Sequence, residues 1–170
     1  MSETKVKVFT KTTAGKIKKL NGGNLAPPIT GEKAGRNIRK TFAEMNLPLT
    51  RLHDAPLENP GTRLVDVPLI FANFHADETD PRNYYFRQTD DYIKNCVELG
   101  CGILYRLGVS IEHGFNKYFI EPPSDVDKWI NICDRIIRHY TEGWANGFNF
   151  RIKYWEIWNE PECCDADGLH

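Results

Sequence analysis

The sequence predicts an α/β fold built on parallel strands. Three observations carry that expectation. Segments with apolar residues every three to four positions alternate along the chain with short apolar runs. The alternation is regular enough to read strand, helix, strand, helix, strand, helix, strand, and parallel strands joined by helical crossovers follow from that order. Polar and charged residues then gather where the runs end, which is where α/β folds bind ligands.

The elements are justified in chain order. GKIKKLNGG, residues 15–23, reads as a first strand closed by a glycine turn. In residues 33–46, KAGRNIRKTFAEMN, the positions Ala34, Ile38, Phe42 and Met45 recur at helical spacing. Asn46 stops that helix, and LPLTRLH, 47–53, is the second strand. A second helix covers 89–100, with Thr89 as N-cap, Gly100 as its end, and Tyr92, Ile93, Cys96, Val97 and Leu99 on one side. GILYRLGVS, 102–110, is the third strand. The third helix carries the strongest period: Val126, Trp129, Ile130, Cys133, Ile136, Ile137, Tyr140 and Trp144 step along one face. Ser124 is its expected cap, with Asp127 three residues on, and Gly143 and Gly147 loosen its end. RIKYWEIWN, 151–159, is the last strand. Residues 54–88 break the rhythm as a long excursion rich in Pro, Asp and Asn, with the apolar stretch VPLIFANF inside. Long segments of this kind in a compact domain tend to serve function.

Composition narrows the function classes. The chain has 170 residues, 41% of them hydrophobic, which suits a single domain with a core. Lys plus Arg number 22 against 23 Asp plus Glu, so no basic face for nucleic acid is expected. No apolar run approaches the roughly 18 residues that span a bilayer. The N-terminus has no apolar core of a secretory signal, and the five cysteines, an odd number, fit no disulfide framework. A cytoplasmic setting is expected, with Cys96 and Cys133 as buried thiols. Cys163, Cys164, Asp165, Asp167 and His170 cluster near the C-terminus, but without CxxC spacing they read as a solvated tail rather than a zinc site. No cofactor or metal is expected.

The chemistry concentrates at three strand ends. The second strand finishes at Arg51, Leu52, His53, Asp54; the third runs through Tyr105 and Arg106; the fourth finishes at Trp158, Asn159, Glu160, Pro161. A carboxylate among aromatics at a strand end is disfavoured in its charged form by desolvation, and such a group can exchange protons near neutral pH. A neighbouring amide can bond a hydroxylated ligand, and aromatic rings suit the apolar faces of sugars. Taken singly, Glu160 is a solvated turn residue, Arg51 a partner of Asp54 or another acid, and His53 a structural histidine. Their recurrence at successive strand ends favours a site.

WEIWNEP at 155–161 resembles the fourth-strand motif of clan A glycoside hydrolases, which are (β/α)8 TIM barrels. The likeness is nearest to family 39, the β-xylosidase and α-L-iduronidase group. The Arg-X-His of Arg51 and His53 resembles that family's second-strand ending, and PPSDVDKWINICDRIIRHY, 122–140, resembles the helix before its acid/base strand. The resemblance covers most of residues 15–162. It implies a partial TIM barrel of roughly the first four βα units, occupying 1–170 as one domain with 163–170 as a loose tail. It implies Glu160 as general acid/base, Asn159 against the sugar 2-hydroxyl, His53 in the glycone subsite, Arg51 supporting the nucleophile carboxylate, and Trp158 on the subsite wall.

One departure qualifies these matches. Retaining glycosidases need a second carboxylate about 5–5.5 Å from the first. The family carries it on the seventh strand, and Glu112, Glu156 and Glu162 do not match that motif position. A whole barrel takes about 250 residues. The expectation is therefore the N-terminal half of a retaining, β-xylosidase-like glycosidase, inactive alone, meeting a carbohydrate substrate. Open sheet edges invite a complementary half-barrel or self-association. A non-catalytic carbohydrate-binding or interaction module is the alternative, and a small α/β enzyme pairing Glu160 with His113 a third reading.

Overall fold

The computed structural model describes residues 3–25, 38–53, 63–110 and 121–159. Four strands form one sheet: β1 (Gly23–Asn24), β2 (Leu49–Leu52), β3 (Gly102–Leu107) and β4 (Tyr154–Ile157). Their spatial order is β1-β2-β3-β4, and every neighbouring pair is parallel. Strand order that follows chain order, with no reversal, is the winding of a barrel rather than of a doubly wound sheet. The helices α1 (Arg39–Glu44), α3 (Arg87–Glu98) and α4 (Val126–Glu142) fall between successive strands, with a single turn α2 (Val67–Ile70) inside the long excursion. The α/β expectation holds, in the form of a partial (β/α)8 arrangement.

Register explains the core. Parallel partners share a face, and the pairs Thr50–Ile103, Leu52–Tyr105 and Tyr105–Trp155 align one face across three strands. Thr50, Leu52, Ile103, Tyr105 and Leu107 are all buried there, against Tyr92, Ile93 and Cys96 of α3 and Ile132, Cys133, Ile136 and Tyr140 of α4. The two helices are tied by polar contacts as well. His139 Nε2 lies 3.0 Å from Asp90 Oδ1 and its Nδ1 2.8 Å from the Trp144 carbonyl. Its ring stacks on Phe86 with centroids 3.5 Å apart, and the Tyr140 hydroxyl also donates to Asp90. The opposite face carries Arg51, Leu104, Arg106, Tyr154 and Glu156, the positions between.

Several elements start or stop elsewhere than the sequence suggested. The strand expected over 15–23 reduces to Gly23–Asn24, and residues 15–20 are exposed coil. Lysines at 16, 18 and 19 leave it no apolar face to bury. Thr89 does not cap α3; it is buried inside the helix, whose N-cap is Phe86. In α4 the cap moves one residue, from Ser124 to Asp125, whose carboxylate accepts from the Lys128 amide at 2.9 Å. Val126 and Ile130 of the expected apolar stripe are exposed, while Ile132 and His139, outside it, are buried. Trp144 lies past the end of α4, in a 3-10 turn. The stop signals hold: Asn46 follows α1 with φ 48°, and Gly100 follows α3 with φ 73°. Cys96 and Cys133 are buried thiols, as expected. Tyr154 and Ile157 on β4 are exposed, and among the described residues β4 has no strand beyond it. No described helix is long and apolar enough to cross a membrane.

Candidate active site

The expected site residues come from the C-terminal ends of β2 and β4, which lie on either side of β3. Neighbouring strands stand about 4.8 Å apart, so these two backbones are separated by about 10 Å. Arg51 bridges that gap over Leu104. Its Nε donates to Glu156 Oε2 at 2.7 Å and its Nη2 to Glu156 Oε1 at 2.6 Å, a bidentate fork. The same Nη2 donates to Asn159 Oδ1 at 2.6 Å. Among these contacts the Arg51 fork is taken by Glu156 of β4, two strands away.

The charges follow from this geometry. The hydrogen bonds from Arg51 hold the Glu156 carboxyl below its ordinary value; partial burial opposes them, and the charges of Arg51, His53 and Arg106 add to the lowering. His53 thus belongs to the same electrostatic group, with a buried side chain. Arg106 is the Cα partner of Glu156 across the β3–β4 ladder and is fully buried. Its Nη2 donates to Asp66 Oδ1 at 2.5 Å and reaches Ser110 Oγ at 3.1 Å. Asp66 also accepts from the Ser110 amide at 3.0 Å and its hydroxyl at 2.8 Å. Burial raises the Asp66 carboxyl above its ordinary value despite the opposing pull of Arg106 and Ser110.

Trp158 is shaped by backbone. It sits at φ 64°, rare for a bulky residue and a recurrent mark of functional strand ends. Its amide donates to the Leu107 carbonyl at 2.7 Å, which carries the β3–β4 pairing one step past the ladder. Its ring can lie over the end of β3 because residue 108 is glycine: a Cβ there would stand 2.9 Å from Trp158 Cε3. Gly108 itself has φ 129°.

The structure thus brings Arg51, His53 and Asn159 to one neighbourhood, with Trp158 beside Asn159. Glu160, Asp54, Glu112 and His113 lie outside the described residues, as does the cluster of Cys163, Cys164, Asp165, Asp167 and His170. Among the described residues no group of His, Cys, Asp and Glu is arranged to hold a metal. Sequence reasoning missed Glu156 as a site member and missed Asp66 altogether. For Glu156 the alternation of a strand places it on the Arg51 face, a signal present in WEIWNEP. Asp66 precedes Val67-Pro68, and an acidic residue followed by a proline in the first turn marks a helix start.

The chain is similar in structure to a glucosidase from Croceicoccus marinus, with TM-score 0.67 and 24% sequence identity. The match covers 88% of this chain and 30% of that one, so the chain spans under a third of its neighbour's length. No family model and no curated protein matches the sequence. At this identity the likeness establishes the fold alone, a parallel α/β sheet in the strand order of a partial (β/α)8 barrel.

Proposed function

We propose that this chain forms the acid/base half of a retaining glycoside hydrolase site of the β-xylosidase and α-L-iduronidase group. The observation that carries the reading is the Arg51–Asn159 contact that joins the ends of β2 and β4, with His53 acting electrostatically on Glu156 in the same group. In this reading Glu160 protonates the glycosidic oxygen and then takes a proton from the incoming water. Asn159 contacts a hydroxyl next to the anomeric carbon, where hydrogen bonds strengthen as charge develops. His53 and Trp158 bound the sugar. The nucleophile is assigned to none of this chain's carboxylates, so hydrolysis requires a second carboxylate from elsewhere. The structural likeness to a glucosidase supports a glycosidase ancestry for the fold.

A binding-only reading competes, and one contact favours it. Glu156 fills the Arg51 fork that a nucleophile carboxylate would otherwise share. The experiment is a saccharide panel, with xylose, glucose and iduronate and their aryl glycosides, read by saturation-transfer NMR and by chromophore release. The reading expects binding that His53→Ala and Asn159→Ala weaken, with no turnover by the chain alone. Absence of binding across the panel overturns it. Turnover by this chain alone, abolished by Glu160→Gln, overturns the assignment of the nucleophile to another source.

A further inference from the structure

Glu156 has no part in the reading above, yet its contacts determine what Asn159 can do. We propose that Glu156 is a positioning residue that acts through Arg51 to present the Asn159 amide nitrogen, as a donor, to the ligand. Arginine carries five N–H donors and no acceptor. The atom of Asn159 that meets Arg51 Nη2 at 2.6 Å must therefore be its carbonyl oxygen. An asparagine side chain is otherwise ambiguous by a half turn, since its oxygen and nitrogen have nearly the same shape. Arg51 removes the ambiguity and leaves Nδ2, with two N–H groups, as the end available to a ligand.

Arg51 can do this only while its own plane is fixed. Glu156 fixes it, because two parallel N–H···O bonds at 2.7 and 2.6 Å hold both the position and the rotation of the guanidinium. The chain of control runs from Glu156 on β4, to Arg51 on β2, and back to Asn159 beyond the end of β4. It spans β3, which lies between the two strands. A plain ion pair closing the inner face would need the first link alone; the second link makes Glu156 matter to recognition. The ligand atom facing Asn159 is then an acceptor, such as the lone pair of a sugar hydroxyl, and a group that can only donate is refused there.

The test uses the full chain in five forms: wild type, Glu156→Gln, Glu156→Asp, Arg51→Lys and, for assignment, Asn159→Asp. The first readout is the side-chain 1H–15N signals of Arg51 Nε and Asn159 Nδ2, the latter identified by their loss in Asn159→Asp. The expected wild-type signature is a slowly exchanging Arg51 Nε–H and two well-separated Asn159 protons. Glu156→Gln should release both, and Glu156→Asp should restore them in part. Arg51→Lys keeps the charge and loses the fork, so it should free the Asn159 amide too, even where Glu156→Gln impairs folding. Unchanged Asn159 signals in both variants overturn the proposal. The second readout rests on the proposed function: affinity for whichever saccharide of the panel binds should fall roughly tenfold in Glu156→Gln, the size of one amide–hydroxyl hydrogen bond. If the wild-type amide is ordered and released as described but no saccharide binds, the glycosidase reading fails while the positioning role stands. If a saccharide binds and Glu156→Gln leaves its affinity unchanged, the positioning role fails while the glycosidase reading stands.

Discussion

Replacing Gly108 with alanine tests how Trp158 is held at the end of β4. Two costs add. The backbone at φ 129° is a conformation that residues with a Cβ rarely adopt, worth on the order of 1–3 kcal/mol. The new methyl would also meet Trp158 Cε3 at 2.9 Å and Trp158 Cα at 3.3 Å, and overpacking of this kind costs about 1–3 kcal/mol. The expected loss is about 3 kcal/mol, or roughly 6–12 °C in melting temperature for a domain of this size. Gly100→Ala is the control. It also has positive φ, 73°, but a Cβ there meets nothing within 4 Å, so only the conformational cost of about 1–2 kcal/mol applies. Urea denaturation followed by circular dichroism measures both. A third variant, Gly108→Ala with Trp158→Ala, removes the ring but not the backbone contact, and should recover about 1 kcal/mol as an interaction energy. Equal losses at positions 100 and 108, or no recovery in the double variant, would refute the steric account.

Three further outcomes are expected. Ile136→Ala, at a fully buried position between α4 and the sheet, should cost about 2–5 kcal/mol in urea denaturation, with an unchanged far-ultraviolet spectrum before the transition. Burial pushes the Cys96 and Cys133 thiols up to about 12. Alkylation at pH 8, mapped by mass spectrometry, should therefore leave both unmodified until urea unfolds the chain. Glu156 is held below its ordinary 4.5, so the stability it contributes is present above that value and is lost as pH falls through the lower folded one. The urea midpoint should drop over that acidic range, and Glu156→Gln should flatten that part of the profile.

Much of the fold was legible because local and global signals agree. In α4 a long apolar period, a cap expected at Ser124 one residue before the true one, and Gly143 all point to the same helix, and the structure places it over Val126–Glu142. Its core-facing stripe was legible around Trp129, Cys133, Ile136, Ile137 and Tyr140. Which flanking residues join that stripe depends on what the sheet beneath offers, and a helical period holds no such information. The N-terminal strand was not legible because two residues pair with β2 at Gly23 and Asn24, too few to show alternation. At the site, the motif showed which residues stand at the strand ends. It could not show that Arg51 reaches across β3 to Glu156, because that contact joins residues 105 positions apart and depends on how the sheet curves. Asp66 was hidden for the same reason: its partners Arg106 and Ser110 lie 40 and 44 positions away.

Glu156 and Asp66 both face an arginine, yet their carboxyls move in opposite directions, and solvent is the difference. Glu156 keeps 30% of its side chain exposed, so the desolvation of its charge is modest and the Arg51 hydrogen bonds prevail. Asp66 keeps 10% and faces an Arg106 with none, so desolvation outweighs the pairing. The consequence bears on chemistry. A carboxylate locked in its charged form by an arginine fork has no proton to give at neutral pH, so Glu156 orients but does not transfer protons. Asp66, enclosed at the cap of α2, fastens the long excursion to Arg106 and Ser110 at the end of β3. Proton transfer in the proposed reaction therefore falls to Glu160, with Glu156 four positions earlier serving a separate task. Titration of the side-chain carboxyl 13C signals checks the division directly. The Glu156 signal should stay that of the ion down past 4.5, and the Asp66 signal should turn over above 3.8. Were Glu156 instead to take up its proton above 4.5, the separation between the orienting and the proton-carrying glutamate would be lost, and with it the reason for a WEIWNEP strand to carry two acids.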